Sequence, residues 1–432
     1  MRVAVVGAGI VGVSTAFELA AGGHEVSVFE QRGSVAAENS FAHGGISSAA
    51  LGSVWGGLCG TTPLRVQVRG LSALSWRLAA RKAQRQPERA AQGAQTLREL
   101  GLLGQSRLGS LRHQLKLDYE RSEGMLVLLR GERDWKAAQA FSEQLQASGL
   151  AHSLLDAQGC LAKEPGLHTD TALLGGLHLP GDEAANGREL CVLLRTAAQR
   201  LGARFQFHAR VSQIRGGPRP SLVHDYAAAD MSASHTAQEA RSREGPSTLP
   251  MARGAQQEDF DAIVLCTGHT PPDAWHGGGK SWPMLPLWAC SLTAPLRQME
   301  AFPDLGPRGA LIDQQHQISI SRIGQRVRVC GGAALRADGL AATQQLMHKV
   351  LNDWFPGAAQ PGQFQVWQGS RSLLPDGLPV IGASSEPGIW LNLAHGGLGG
   401  MLAQGSALAL NALLSAQAAP LNLDALSAAR LR

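Results

Sequence analysis

RVAVVGAGIVGVSTAFELAAGGHEVSVFE, residues 2–30, contains a complete structural unit. Arg2 to Val6 is a short run rich in β-branched residues, which reads as a buried strand. The turn Gly7-Ala8-Gly9-Ile10-Val11-Gly12 follows, then a helix-forming stretch from about Ile10 to Ala21, stopped by Gly22-Gly23. A second strand, EVSVFE, ends on the acid Glu30. A β-α-β unit this short must be parallel and right-handed. GxGxxG alone is a weak signal, but between a strand and a helix, with an acid 18 residues after Gly12, it reads as a dinucleotide site. Gly7 permits the tight turn, Gly9 lets the backbone approach a pyrophosphate, and Gly12 lets the helix pack on the strand. The free N–H groups of the helix start, where Ile10 and Val11 lie, favour negative phosphate. Glu30, with Gln31 beside it, should accept hydrogen bonds from an adenosine ribose and repel a 2′-phosphate, which disfavours NADP.

The rest of the 432 residues bounds the class. Hydrophobic residues make up 44% and charged residues 17%, enough apolar material for a large core, so wholesale disorder is excluded. The net charge of +5 is mild and does not imply nucleic acid. Cys59, Cys160, Cys191, Cys266, Cys290 and Cys330 form no CxxC pair and read as reduced core residues of a cytoplasmic protein, with no metal site. Glu18 interrupts the apolar N-terminus, which therefore does not read as a signal peptide. Polar residues interrupt 398–419, which reads as a buried helix, not a membrane span.

Further along, 34–65 is rich in Gly, Ser and Ala and reads as a loop or short helix. Residues 71–86 look helical with a basic side, and Pro87 is expected to stop that helix. The basic side reads as a solvated face; contact with the inner face of the cytoplasmic membrane is the alternative. Helices are expected at 134–147, 188–201, 339–351 and 401–414. Strands are expected at 124–129, 204–208, 260–266, 285–293, 318–321, 326–329 and 389–393. Residues 216–257 contain no Ile, Phe or Trp and read as a flexible insertion, with a poorly patterned hairpin extension as the alternative. The pattern suggests an α/β nucleotide-binding domain interleaved with a sheet-based domain.

The choice between NAD and FAD rests on two later signals. Strand 260–266 runs into Thr267-Gly268, which passes near the nucleotide in two-domain flavoproteins. The strand at 389–393 leads into Ala394-His395-Gly396-Gly397-Leu398-Gly399-Gly400, a second glycine-rich strand-to-helix turn. Such a turn makes another positive pocket, suited to charge on a reduced flavin.

These residues, with Glu38-Asn39-Ser40-Phe41-Ala42-His43-Gly44-Gly45, the 176–183 and 326–332 segments, and Gly369-Ser370-Arg371 before Pro375-Asp376-Gly377, resemble the D-amino acid oxidase superfamily. Within it, the chain is most similar to the small-subunit family of bacterial D-amino acid dehydrogenases, nearly end to end. The resemblance implies a Rossmann-type FAD-binding domain from 1–65, 175–280 and 365–432. A mostly antiparallel roof domain comes from 66–174 and 281–364.

It implies non-covalent FAD held by Gly7, Gly9, Ile10, Val11, Gly12, Glu30, Gln31, Ser40, His43, Gly44, Gly45, Val211, Thr267, Gly268, Gly397, Leu398 and Gly399. Arg371 takes the position that grips a substrate carboxylate, for which a guanidinium fork is suited. His43 and His395 are candidates to hold a proton. The implied reaction is oxidative deamination of D-amino acids by hydride transfer from Cα to flavin N5, giving a keto acid and ammonia. A quinone or other carrier is the implied acceptor. Secondary amines such as sarcosine, proline derivatives or opines are the alternative substrates, and a flavin-binding subunit without turnover is the third reading.

Relatives often carry Lys-Gly-Tyr where this chain has Trp288-Ala289-Cys290, and Arg-Pro where it has Arg371-Ser372. With only Tyr119 and Tyr226 in the chain, a tyrosine clamp on the carboxylate is not expected, and Trp288 is expected either to narrow the pocket or to stack on an apolar substrate.

Overall fold

The structure is a computed structural model and describes residues 1–50, 76, 78, 80–82, 85–226, 254–268, 284–300 and 305–431. Three sheets organise it. The first has six strands in the order Val380–Ala383, Ile389–Leu393, Ala262–Leu265, Arg2–Val6, Glu25–Phe29, Arg204–Gln206. All neighbours are parallel except the outermost pair, Val380–Ala383 with Ile389–Leu393. Both faces are covered, which is why RVAVV is nearly continuous in apolar residues. Val3 and Val5 pack with Val13, Phe17 and Leu410 on the helical face. Ala4 and Val6 pack with Ile214, Leu222 and Phe260 on the other face, beneath a small antiparallel sheet of Ala209–Arg215, Ser221–Tyr226 and Gln256–Asp259.

The large sheet runs Gln365–Leu373, Leu285–Pro295, Arg326–Ala334, Ile318–Ile323, Ala310–Asp313, Ser122–Leu129, Gly175–Ala184, Ile46–Ser47, with Ser153–Asp156 added on Gly175–Ala184. Its pairs are antiparallel except Ala310–Asp313 with Ser122–Leu129. Helix Ala341–Trp354 covers one face, burying Met347, Val350 and Trp354 against Leu292, Ile320 and Val329.

Several expectations are corrected. Pro87 also starts a helix that was not expected: residues 76, 78 and 80–82 are helical and end before it, and Pro87–Leu115 then runs 29 residues with the proline in its first turn. At that position the missing N–H would have had no helical partner anyway. The helix that Pro87 was expected to stop, 71–86, falls largely outside the described residues. The flanks of 216–257 are ordered strands, Ser221–Tyr226 and Gln256–Asp259, because Leu222 is fully buried and pairs against Glu258. The rest of that insertion, 227–253, lies outside the described residues. Strands Ile46–Ser47, Gly175–Ala184 and Gln365–Leu373, grouped by sequence with the FAD domain, hydrogen-bond within the large sheet. Cys160, Cys191, Cys266, Cys290 and Cys330 are free and buried, and Cys59 lies outside the described residues.

The apolar C-terminal helix, Gly399–Leu414, is long enough with its preceding turn to cross a membrane by composition. It packs instead between helices Ile10–Ala21 and Pro87–Leu115, burying Leu402, Ala407 and Leu410. Its contact with the long helix is close because both sides are glycine: a Cβ on Gly405 would lie 2.2 Å from Leu100 O, and one on Gly104 2.8 Å from Met401 O.

Arg107 on the long helix reaches Glu18 of the first helix with two bonds of 2.7 and 2.9 Å, and Glu18 is 2% exposed. Arg107→Leu leaves a buried carboxylate unpaired and should cost about 3–5 kcal/mol of stability in urea denaturation. Glu18→Leu in the same chain should recover most of it, since the isolated charge is then gone; a double variant as unstable as the single one would refute this account.

Candidate active site

The turn after the first strand is built as the glycines require. Gly7 has φ of +102°, and a Cβ there would lie 2.6 Å from Cys266 O. A Cβ on Gly12 would lie 1.9 Å from Gly7 O, so helix and turn touch through bare backbone. Ser40 Oγ accepts the N–H of Ile10 at 3.0 Å, bringing the 38–41 segment onto the helix start. Glu30 accepts N–H bonds from Ala8 at 2.7 Å and Arg32 at 2.8 Å. Burial pushes its carboxyl above the usual range, against the pull of those two donors.

A cavity of about 640 Å³ starts at this turn. Gly7, Gly9, Ile10 and Val11 line it, with Glu30, Gln31 and Ser40 at one side. Val211, Thr267 and Gly268 also line it, as do His395, Gly399 and Arg371. The site residues brought together therefore span the whole chain. Gly12, His43, Gly44, Gly45, Gly397 and Leu398 lie off the wall. Gly397 stands just behind it, where a Cβ would be 3.2 Å from Arg371 Nη1.

Arg371 sits on strand Gln365–Leu373, at the edge of the large sheet. Among the described residues it makes no side-chain hydrogen bond and no ion pair. Burial lowers its pKa from the usual value, while Cys330 and Cys290 oppose that shift. A guanidinium still remains protonated at neutral pH. A cation facing a cavity without an acidic partner is poised for an anion from outside.

His395 Nε2 is buried on the cavity wall without a hydrogen-bond partner, and burial pushes the imidazole down to about 4. His43 holds the neighbouring backbone: its Nδ1 accepts the Gly45 N–H at 2.9 Å, and its carbonyl accepts from Arg328 at 3.2 Å. Burial, then Arg328 and Arg371, push His43 down to about 3. In this geometry the His43 ring holds the 43–45 segment through Gly45, and burial keeps it uncharged down to about pH 3. Gly45 in that segment has φ of +74°, and a Cβ there would meet Ala185 O at 2.2 Å.

Both histidines carry a depressed pKa in the folded chain, so between about 4 and the usual 6.5 the unfolded chain binds more protons. Their contribution to stability is full above pH 6.5 and falls as the pH drops toward 4. His395→Asn should therefore lose less stability than the unchanged protein between pH 7 and 4.5, read from urea midpoints. An equal loss would refute the neutral assignment.

Trp288 lines the cavity, as expected, and stands opposite Ser370 across the strand pair. Neither tyrosine reaches Arg371. The Tyr119 hydroxyl bonds Glu183 at 3.2 Å, and that of Tyr226 donates to Gln206 at 2.8 Å. Sequence reasoning missed Asn392, whose amide donates to Thr15 at 3.0 Å and Ser406 at 3.2 Å. It ties the strand to two helices at the cavity wall, and its signal was a lone polar residue inside Ile389–Leu393. It also missed Arg210, which shares the wall with Val211.

A family model described as FAD dependent oxidoreductase matches residues 2–413. The chain belongs to this FAD-dependent oxidoreductase family. The resemblance read from the motifs is borne out, and with it the FAD cofactor and the oxidoreductase class. Among curated relatives, D-amino acid dehydrogenase of Rhizobium rhizogenes is 31% identical over 450 residues, covering 100% of both chains. Among solved structures, glycine oxidase from Geobacillus kaustophilus superposes with a TM-score of 0.67 at 19% identity, covering 99% of this chain and 98% of the other. Iminodiacetate oxidase from Chelativorans sp. gives 0.68 at 17% identity with the same coverage. At those identities the structures speak for the fold.

The residues fit FAD. The bare-backbone glycine turn leaves room for a pyrophosphate, Glu30 lines the same cavity, and so do His395, whose buried Nε2 has no partner, and Arg371, which has no acidic partner among the described residues.

Proposed function

We propose that the protein oxidises the Cα–N bond of D-amino acids in this cavity. The observation that carries the reading is Arg371, a cation without an acidic partner among the described residues, on the wall of the same cavity as the dinucleotide turn. Its fork matches a carboxylate with two parallel bonds, which fixes the acid end of a substrate and hence the direction of its Cα–H. The curated D-amino acid dehydrogenase relatives supply the stereochemical half of the reading.

FAD, when bound, takes up the hydride and its two electrons. The chain does the rest. Arg371 orients the carboxylate. Trp288 and the buried wall around Leu393 and Ala394 keep bulk water from the reacting carbon. Among the described residues, the histidine that lines this wall, His395, is uncharged at neutral pH, and the amine is taken to lose its proton to solvent. His395, uncharged above about pH 4, offers Nε2 as a hydrogen-bonding partner and not as the base. The imine product hydrolyses to a 2-oxo acid and ammonia. Ser370 and Ser372 stand beside Arg371 where a cysteine could have tethered the flavin, which supports non-covalent FAD. A quinone or soluble carrier removes the electrons at the inner face of the cytoplasmic membrane or in the cytoplasm.

The secondary-amine reading draws on Trp288, which lines the cavity where relatives often carry a lysine. Anaerobic mixing with D-amino acids and with N-alkyl amino acids separates the two. D-amino acids should bleach the flavin absorption, and bleaching only by N-alkyl substrates would reject the proposal.

A further inference from the structure

The sheet register shows what shares a face with Arg371. On strand Leu285–Pro295, residues Leu287, Ala289 and Ser291 pair with Arg371, Gly369 and Trp367. Alternate strand residues point the same way, so all six side-chain positions lie on one face. Cys330 pairs with Ser291 and extends it. This face meets the 43–45 segment, because a Cβ on Gly44 would lie 3.6 Å from the Cβ of Cys330.

Between Arg371 and Trp367 the floor consists of Gly369 and Ala289. Trp367 does not point away from this floor. The tip of its indole lies 2.0 Å from where a Cβ on Gly369 would be, with two more ring atoms at 2.7 Å. The ring is therefore folded along its strand toward Arg371, over a residue whose lack of a side chain gives it room. The strip left between the indole tip and the base of Arg371 is about two strand residues, or roughly 7 Å.

We propose that Trp367 is the end wall of the substrate side-chain pocket and sets the length of side chain accepted. Ala289 forms the floor beside Gly369, which the indole covers; this strip adjoins Arg371 beyond the lining of the 640 Å³ cavity, and it takes neutral, apolar side chains. This rests on the reading of Arg371 as the carboxylate grip. With the carboxylate on the guanidinium, the Cα comes over the floor and the side chain runs toward the indole. The floor and wall supply no group that could pair a charged side chain there, and an unpaired buried charge is costly.

The test uses FAD-loaded protein titrated with straight-chain carboxylates from acetate to hexanoate, followed by the flavin spectrum. In the unchanged protein, affinity rises with chain length to a limit and then falls. In Trp367→Ala the hexanoate-to-propionate affinity ratio should rise at least about tenfold, the usual scale for methylenes gained in a pocket. Trp367→Phe, a shorter wall, should give an intermediate limit. Gly369→Ala pushes the ring into the strip and lowers the limit. The same substitution in the Trp367→Ala background should do nothing, since no ring remains to be displaced. kcat/KM for D-amino acids of matching side-chain length should follow the same order. An unchanged ratio in both Trp367 variants, with carboxylates still binding, overturns the wall alone. A flavin spectrum that responds to no carboxylate in the unchanged protein overturns the grip and the wall together.

Discussion

Arg371→Leu should lower kcat/KM for D-amino acids by roughly 30- to 3000-fold while the protein stays yellow. The range follows from the 2–5 kcal/mol lost when one partner of a buried, hydrogen-bonded charge pair is removed. The loss should appear first in KM, because the carboxylate contact exists before the hydride moves. Arg371→Lys keeps the charge but loses the fork, and should fall between the two. Flavin retention is expected because the substitution leaves the FAD-facing turn and Glu30 in place on the cavity wall. Steady-state kinetics with flavin content measured on the same samples decides the matter, and an unchanged KM would remove Arg371 from substrate binding.

Gly12→Ala should weaken FAD binding by roughly 10- to 100-fold, on the scale of an overpacked contact of 1–3 kcal/mol. The added methyl would sit 1.9 Å from Gly7 O and 2.9 Å from Gly7 C, both backbone atoms of the phosphate-facing turn. The turn must move, and it is the turn that meets the pyrophosphate. The sheet itself should persist, since its strands are buried on both faces. The flavin-to-protein absorbance ratio after dialysis, read beside far-ultraviolet circular dichroism, measures both halves. Full flavin retention would show that the helix tolerates a shift without disturbing the turn.

The unit from Arg2 to Phe29 was legible because three local signals agree there: a buried strand pattern, glycines at the required spacing and a Gly-Gly stop. The strand at Ile389–Leu393 and the glycine turn after it were legible for the same reason. The helix Pro87–Leu115 was hidden. Its proline read as a stop, and Gly93, Gly101, Gly104 and Gly109 lower its intrinsic propensity. Tertiary contact overrides that deficit, with Gly104 and Gly405 letting two helices nearly touch. Strand Gly175–Ala184, GGLHLPGDEA, was hidden by its glycines and Pro180, although residues 176–183 carry part of the family resemblance. Of the site, Gly7, Gly9, Glu30, Val211 and Arg371 line one cavity, as a site built from them requires. His43 lies off that wall, and only the fold shows its ring turned onto Gly45. Trp367 was illegible as well, since its relation to Arg371 depends on register and on a side chain lying across Gly369.

One cavity joins the dinucleotide turn to Arg371, and on the proposed reading a carboxylate held there presents its Cα to the flavin. A crystal structure of the FAD-loaded protein with a bound unreactive carboxylate tests it most directly. The account predicts FAD running from Gly9 and Glu30 toward His395, with both carboxylate oxygens within hydrogen-bond reach of the Arg371 guanidinium. A carboxylate bound elsewhere, with Arg371 turned from the flavin into an ion pair of its own, would contradict it.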